Sequence, residues 1–444
     1  MPDGVPAPAV DTDRASEDRV LGFWAAVSIV MGSMIGSGVF LLPASLAAYR
    51  GLSLVGWIVS AAGSVLLALV FARLARQLPK TGGLYVYTRA AFGDVPAFLV
   101  AWGYWLSTVG TLAALAVAGV GYLDPFIPAI VRTPLWASLL AVALMWMLIA
   151  CNIAGVGLAG RVQIVTTALK IVPLIIVSVG GLFFVRADVF AMPPAVATPL
   201  TSQLVAVVTL TLWAFLGLEC ATIPAGSVRD PARTIPLATL IGTAITAVIY
   251  IASTVGVMSL VGPEALASST APFADGARRL FGESGARLVA IGAAISCFGS
   301  LNGWTLIAGQ LPMAVAADRL FPPAFGAVSS RGTPAQGMIL AGVLATVLVG
   351  MNYSRGLVAL FTFIILLCTL STLVPYVFCA LAVWLIPGQP APRGTAAIVS
   401  VLAFVYAMFA IGGAGAETVL YGFLLLLGGL PLYVWVRRTP AATT

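Results

Sequence analysis

Two ionisable side chains lie deep within apolar stretches of this sequence and are its first candidates for chemistry. Lys170 stands in the stretch IVTTALKIVPLIIV, and Glu219 stands in TLWAFLGLECATIPAG. A charge at the centre of a bilayer costs at least about 2.5–3.5 kcal/mol on insertion scales, so such residues are functional candidates by default. An ammonium can bind carbonyl oxygens, a carboxylate can bind a cation, and either group can carry a proton.

Each of these residues also has a structural interpretation. Lys170 lies about six residues into its predicted span, which is roughly 9 Å along a helix at 1.5 Å per residue. Its stem could therefore snorkel, although the interface is at the edge of its reach. For Glu219 two roles stay open: coupling, as a proton carrier, and structure, as a buried acid that holds backbone amides of the first span.

The backbone of the first apolar run is a further candidate. Residues 29–43 are IVMGSMIGSGVFLLP, and five of the seven residues at 32–38 are Gly or Ser. One interpretation is packing, since Gly32 and Gly36 form a G-x-x-x-G pair that lets helices approach closely. The other is a discontinuous helix, whose freed N–H groups and second-half dipole suit a carboxylate.

A second interruption favours the discontinuous helix. Gly217 lies in the middle of the sixth apolar run, and Pro224 and Gly226 follow it. Paired interruptions at corresponding positions of two halves are the best sequence indication of a transporter binding site. Helices one and six would be equivalent if the chain consisted of two inverted five-helix repeats plus two further helices.

Tryptophans divide into two predicted classes. Membrane tryptophans usually lie at the two interfaces, and this is the position predicted for Trp24, Trp57, Trp136 and Trp435. Trp213 precedes the second interruption, and Trp304 lies in the polar stretch GSLNGWTLIAGQ. An indole beside a cavity can stack on a substrate or hold a cation over its face, so both are candidates for lining a pocket.

The composition requires that membrane helices position these groups. The chain has 444 residues, of which 61% are hydrophobic and 8% charged, whereas a soluble domain has about 25% charged residues. It contains no histidine, and its five cysteines lie in apolar runs without metal-ligand spacing. We therefore expect an all-α polytopic membrane protein with no metal site, no cofactor and no nucleic-acid partner. No P-loop motif is present.

Twelve transmembrane helices are predicted, because a span needs about 20 predominantly apolar residues. With the N-terminus in the cytoplasm, fourteen Lys and Arg residues fall inside and seven outside, which places both termini in the cytoplasm. The predicted spans are 21–47, 52–76, 95–123, 134–156, 162–185, 201–226, 234–261, 286–316, 335–353, 356–385, 395–414 and 417–436.

The chain divides into four predicted regions. Residues 1–20 form a disordered cytoplasmic tail, and 21–385 form a ten-helix transport core. Residues 386–436 form two peripheral helices, and 437–444 form a second cytoplasmic tail. The segment 262–285 is the longest exterior connection and is expected to carry a short amphipathic helix.

Five motifs together resemble the amino acid–polyamine–organocation transporter superfamily, and within it the bacterial basic amino acid and polyamine antiporters of the arginine/agmatine and cadaverine/lysine type. The resemblance runs in order through nearly the whole chain after residue 20. It implies a LeuT-like fold of five plus five inverted helices with two peripheral helices, and it implies alternating access. The motifs are GSMIGSGVFLLPASLA, PKTGGLYVYTRAAFG, LWAFLGLECATIPAGSVRDPARTIPLAT, GSLNGWTLIAGQ and TLVPY.

The resemblance also implies roles for single residues. Backbone amides of Gly36, Ser37 and Gly38 would bind the α-carboxylate of a substrate. Carbonyl groups near Met34 and in the stretch from Trp213 through Ala214 and Leu216 to Gly217 would bind its α-amine. Trp213 would be an aromatic gate, Trp304 and Tyr104 would line the pocket, and Tyr85 would take part in pH gating on the inward side.

Three departures weaken the match to the arginine/agmatine type. Ser33 and Leu112 stand where, or near where, that type has asparagines. Lys170 stands where it has an apolar residue, and in this it is similar to the helix-five lysine of proton-coupled and heteromeric-type amino acid transporters. That resemblance implies an ammonium in place of a sodium ion, which holds helix one when charged and releases it when neutral.

We therefore predict a sodium-independent secondary transporter of an amino acid or related amine in a bacterial inner membrane, working by exchange or by proton coupling through Lys170. An obligate basic amino acid/polyamine antiporter is the main alternative. A passive channel is disfavoured, since no selectivity segment is present, and an enzyme lacks a credible acid–base pair. The expected partners are a small-molecule substrate, protons and the lipid bilayer, and a homodimer stays open.

Overall fold

A computed structural model describes residues 19–191, 199–269, 271–353 and 358–438, with the backbone alone for 358–369. Most of the two predicted tails, 1–18 and 439–444, lies outside the described residues. Within the described part the chain is helical, and its one pair of bridged extended residues is Leu21 with Val228. The expectation of an all-α protein is thus confirmed for that part.

The described residues form seventeen α-helices. They are α1 (Phe23–Met34), α2 (Gly38–Ala47), α3 (Leu52–Gln77), α4 (Leu84–Phe92), α5 (Asp94–Gly121), α6 (Pro128–Val131), α7 (Pro134–Ala154), α8 (Val156–Leu182), α9 (Leu200–Trp213), α10 (Pro231–Val261), α11 (Pro263–Ala267), α12 (Pro272–Ala317), α13 (Ala335–Tyr353), α14 (Val358–Leu385), α15 (Thr395–Gly413), α16 (Ala416–Leu427) and α17 (Leu430–Arg438).

Nine helical segments of the described chain are long and apolar enough to cross a membrane, and the bent pair α1–α2 makes a tenth candidate. The remaining two predicted spans coincide with shorter apolar helices, α9 and the segment Leu370–Leu385 of α14. Large apolar side chains such as Trp24, Leu135 and Val248 are exposed around the bundle, as expected of surfaces that face lipid. The chain is a multi-pass membrane protein.

Helices α5 and α12 run in opposite directions and define the two ends of the bundle. At one end Asp318, the first residue after α12, binds Arg89 in the last turn of α4, close to the start of α5. At the other end Phe273 of α12 lies near Phe40 of α2, which in turn lies near Tyr122 after α5. We call these the Asp94 end and the Tyr122 end.

The segment between α10 and α12 differs in detail from the sequence-based expectation. Only the five residues of α11 form a separate helix there, whereas α12 begins at Pro272, well before the predicted start of its span. Gly282 interrupts α12 with a φ of 66°, a conformation that glycine adopts without the steric cost of a side chain. The predicted interfacial position of Trp57 is wrong, because its side chain is 1% exposed and donates to Thr254.

Candidate functional site

The connection between α1 and α2 leaves backbone donors free. Helix α1 ends at Met34, α2 begins at Gly38, and the two axes differ by 42°. The N–H groups of Ile35 and Gly36 bond to Met31 and Met34, but in the described part of the chain those of Ser37 and Gly38 have no acceptor. Ser37 is partly exposed and Gly38 is exposed, so these two donors remain accessible to a ligand.

The ammonium group of Lys170 lies directly behind this connection. Lys170, on α8, is fully buried and donates to the carbonyl oxygens of Gly32 at 2.8 Å and Ile35 at 2.5 Å. Its third contact is the Ser300 hydroxyl, 3.3 Å away. The side chain therefore does not snorkel, and all three of its protons have acceptors.

Helix α12 supplies further donors to the same carbonyl groups. The Ser300 hydroxyl lies 2.5 Å from the Gly32 oxygen and 2.9 Å from that of Ile35. The Ser296 hydroxyl lies 3.0 Å from the Ile35 oxygen and 3.1 Å from that of Gly36. Because a broken helix leaves carbonyl groups without intrahelical donors, α8 and α12 together satisfy the end of α1.

A buried amide chain fixes α1 one turn earlier. Gln163 of α8 donates to the Ser28 carbonyl at 3.1 Å and accepts from Asn302 of α12 at 2.9 Å. A Cβ at Gly32 would lie 1.8 Å from the Gln163 amide nitrogen. A side chain at position 32 would therefore displace the Gln163 amide from its hydrogen bonds, which favours a packing role for the first member of the G-x-x-x-G pair.

A second interruption follows α9. The helix ends at Trp213, and Gly217 has a φ of 105°, which favours glycine. A Cβ at Gly217 would lie 2.9 Å from the Cβ of Ser33, so the two interruptions are in contact. The Tyr250 hydroxyl of α10 joins them, because it lies 2.8 Å from the Met34 oxygen and 3.0 Å from the Ala214 oxygen.

Glu219 lies at the centre of a phenol–carboxylate cluster. It is fully buried, and its two carboxylate oxygens accept hydrogen bonds from Tyr104 of α5 and Tyr376 of α14. The Tyr376 hydroxyl also lies 3.4 Å from the Gly217 nitrogen. The cluster therefore ties the segment after α9 to two other helices through one acidic group.

The two pocket tryptophans differ in their surroundings. Trp304 is buried, and its ring centroid lies 6.1 Å from that of Tyr104. Trp213 is partly exposed at the last residue of α9. Trp304 thus adjoins the Glu219 cluster through Tyr104, whereas Trp213 borders the second interruption and retains accessible ring surface.

Tyr85 lies apart from these groups, at the Asp94 end. Its hydroxyl donates to Asp318 at 2.8 Å, and Asp318 also binds Arg89. Burial, and secondly the hydrogen bond to Asp318, raise the pKa of the Tyr85 hydroxyl above its ordinary value. Arg89 and Asp318 line a cavity of about 730 Å³ at this end.

The structure thus brings Ser33 of the first interruption against Gly217 of the second, and it joins Met34 to Ala214 through Tyr250, with Lys170 behind the first interruption. The other predicted residues, Gly36, Ser37, Gly38 and Leu216, lie in the same two segments. The structure adds Tyr250, Ser296 and Ser300, for which we had assigned no role, and Tyr376 from the quoted motif TLVPY. Leu112, at the predicted departure, is fully buried. No group of three or more potential metal ligands occurs among the described residues.

Comparisons with known proteins show the family to which the chain is similar. Residues 21–431 match the family described as amino acid permease. The chain is 32% identical over 428 residues to the cadaverine/lysine antiporter of Escherichia coli (strain K12), which covers 94% of this chain and 95% of that protein. It is 31% identical over 427 residues to the putrescine transporter PotE of Haemophilus influenzae (strain ATCC 51907 / DSM 11121 / KW20 / Rd), which covers 95% and 98%.

Proposed function

The chain belongs to the amino acid permease family, and we propose that it is a sodium-independent secondary active transporter of an amino acid or a related amine. It works by alternating access in the inner membrane of a bacterium. The observation that carries the proposal is the contact of the Lys170 ammonium with the Gly32 and Ile35 carbonyl oxygens. It places an ionisable amine at the end of α1.

The pair α1–α2 is one broken span in this proposal. Leu21, before α1, forms backbone hydrogen bonds with Ser227 and Arg229. The neighbouring Gly226 donates to Thr81, which lies just before α4 at the Asp94 end. Phe40 of α2 lies at the Tyr122 end. The two positions are explained if α1 and α2 together cross the bundle. A break in a span is tolerated at membrane depth where the backbone lines a cavity.

The substrate α-carboxylate binds at the start of α2. The unpaired N–H groups of Ser37 and Gly38 point outward from a helix N-terminus, where the dipole of the following helix favours an anion. The partly exposed Leu216 offers a carbonyl oxygen that accepts no hydrogen bond among the described residues. That oxygen takes the α-amine, next to the Met34 oxygen, which already accepts from the Gly36 amide and the Tyr250 hydroxyl.

Lys170 takes the place of a sodium ion. Carbonyl and hydroxyl oxygens of Gly32, Ile35 and Ser300 are the kind of hard ligands that a small cation prefers, and an ammonium fits the same set. While the amine is charged, it holds α1 against α8 and α12. When it is neutral, it loses most of its attraction for the two carbonyl groups and releases α1, which opens the site toward the Asp94 end.

An obligate basic amino acid/polyamine antiporter is the second candidate, favoured by the relatives named as a cadaverine/lysine antiporter and a putrescine transporter. In that case the outward-moving amine resets the carrier, and Lys170 remains charged throughout. Trp304 and the acidic Glu219 then provide a cation-attracting side to the pocket.

Proteoliposomes test both candidates with L-lysine and cadaverine as labelled probes. Saturable uptake that persists when choline replaces sodium supports the transporter. Accumulation into empty vesicles under a proton gradient supports proton coupling, and uptake that requires internal lysine or cadaverine supports obligate exchange. Absence of saturable uptake for both probes and for the other proteinogenic amino acids, putrescine and agmatine would overturn the proposed function.

A further inference from the structure

A second cavity of about 440 Å³ lies at the Tyr122 end of the bundle. It is bordered by α2, by the residues after α5, and by the first turns of α12 on both sides of Gly282. Sites for small molecules typically have about 300–1,000 Å³, so an amino acid fits in it. No role has been assigned above to the charged residues that border this cavity.

One layer of aromatic rings separates the cavity from the first helix break. Phe40 and Tyr122 both border the cavity, and their ring centroids are 5.9 Å apart. The Tyr122 hydroxyl lies 3.4 Å from the Ser37 carbonyl oxygen. These two rings therefore lie between the cavity and the candidate carboxylate site, and a ligand that leaves the cavity inward reaches Ser37 past them.

The four charged residues of the cavity differ in how they are paired. Asp124 is bound by Arg132 through two hydrogen bonds of 2.8 and 2.9 Å. Arg278 binds Asp275 at 2.6 Å and the Oε2 atom of Glu283 at 2.9 Å. Arg287 makes no hydrogen bond or salt bridge to any described residue, although it borders the cavity.

The Arg287 guanidinium and one carboxylate oxygen of Glu283 lie side by side. Glu283 and Arg287 are four residues apart in the helical segment after Gly282, so their side chains are neighbours on one face. Glu283 turns its Oε2 atom toward Arg278. Its Oε1 atom and the Arg287 guanidinium attract each other electrostatically but form no hydrogen bond among the described residues. A planar guanidinium binds carboxylates with two parallel hydrogen bonds.

We propose that this cavity is a staging site that binds the amino acid form of the substrate before it enters the central site from the Tyr122 end. Arg287 binds the α-carboxylate, and Glu283 binds the α-amine. A decarboxylated diamine finds no partner for Arg287 and is repelled by its charge. The site thereby favours the carboxylated substrate on this face of the protein, an assignment that rests on the proposed transport function.

The test compares Arg287→Gln with the wild-type protein, using two substrates and both orientations of the protein in vesicles. In vesicles that present the Tyr122 end, the KM for L-lysine should rise about five-fold with unchanged Vmax, the size expected of one exposed charge contact. The KM for cadaverine should stay constant or fall. In vesicles of the opposite orientation neither KM should change, and the lysine effect should fade at high salt, which screens exposed charges.

Matched variants keep the test decisive. Arg279→Gln removes an exposed arginine of the same helix that does not border the cavity and should have wild-type kinetics, whereas Arg287→Lys should retain most of the lysine affinity. An equal rise in KM for both substrates, a rise on both faces, or unchanged lysine kinetics in Arg287→Gln would overturn the staging site. Since the wild-type chain must transport lysine in the same assay, failure of the proposed function is recognised separately.

Discussion

The Tyr250 hydroxyl lies 2.8 Å from the carbonyl oxygen of Met34, at the point where α1 ends. The same hydroxyl lies 3.0 Å from the Ala214 oxygen at the end of α9. A phenol has one proton, so it donates to one carbonyl at a time or shares the proton between both. One side chain of α10 thus couples the two interruptions at which we place the substrate.

Tyr250→Phe is expected to separate this coupling from packing. The ring stays between Trp57 and Phe215, whose centroids lie 5.2 and 5.5 Å away. The Met34 carbonyl keeps the Gly36 amide as a donor, but the Ala214 carbonyl loses its donor. Leaving a buried polar group unsatisfied costs about 1–3 kcal/mol, so we expect a slower maximal rate of transport with a smaller change in KM. Uptake kinetics in proteoliposomes check this, and a wild-type rate would remove Tyr250 from the mechanism.

Lys170→Ala is expected to reduce transport severely while the protein remains folded. The fold survives because Ser300 also donates to the Gly32 and Ile35 oxygens, whereas the charge that holds α1 is lost. Uptake should fall at least about tenfold, the loss expected of a buried charge-assisted contact, with a normal elution profile in size-exclusion chromatography. Near-normal turnover would show that the ammonium is dispensable.

Trp213→Leu is expected to weaken substrate binding or slow the gate, because a substrate ammonium loses an aromatic face worth about 0.5–2 kcal/mol. The KM should rise several-fold. Trp24→Leu is the control, since Trp24 is 66% exposed at the bundle surface and should transport normally. Unchanged kinetics in Trp213→Leu would place this indole outside the pocket.

Glu219→Gln distinguishes a coupling role from a structural one. Glutamine keeps the shape of the side chain but accepts with only one oxygen, so one of the two tyrosines loses its acceptor. We expect a lower rate and a flatter dependence of uptake on pH, because the group can no longer exchange a proton. Tyr104→Phe keeps the acid and should retain the pH dependence. A lower rate with an unchanged pH profile in Glu219→Gln would make Glu219 structural.

The sequence indicates two candidate interruptions because their causes are local. Gly and Ser lower helix propensity wherever they occur, and the φ of 105° at Gly217 requires no knowledge of distant residues. Lys170 could also be singled out from the sequence, since a charged residue inside an apolar run is rare.

Partners from distant helices could not be predicted in the same way. Tyr250 lies 216 residues from Met34 along the chain and Tyr376 lies 157 residues from Glu219, and no periodicity shows which face of a fully apolar helix meets which neighbour. The predicted interfacial position of Trp57 was wrong for the same reason. An indole near a helix start is typical of an interface, but here α10 and the segment after α9 cover it.

Gly32→Ala and Gly36→Ala form a matched pair that tests whether the first interruption is held by the close approach of α8. A Cβ at Gly32 lies 1.8 Å from the Gln163 amide nitrogen, and Gln163 cannot move without losing its bonds to Ser28 and Asn302. A Cβ at Gly36 lies 3.3 Å from the end of the flexible Leu115 side chain. Overpacking costs typically about 1–3 kcal/mol, so Gly32→Ala should lower the melting temperature of the purified protein clearly more than Gly36→Ala does. Equal decreases, or a larger decrease in Gly36→Ala, would mean that α8 does not fix the end of α1 through this contact.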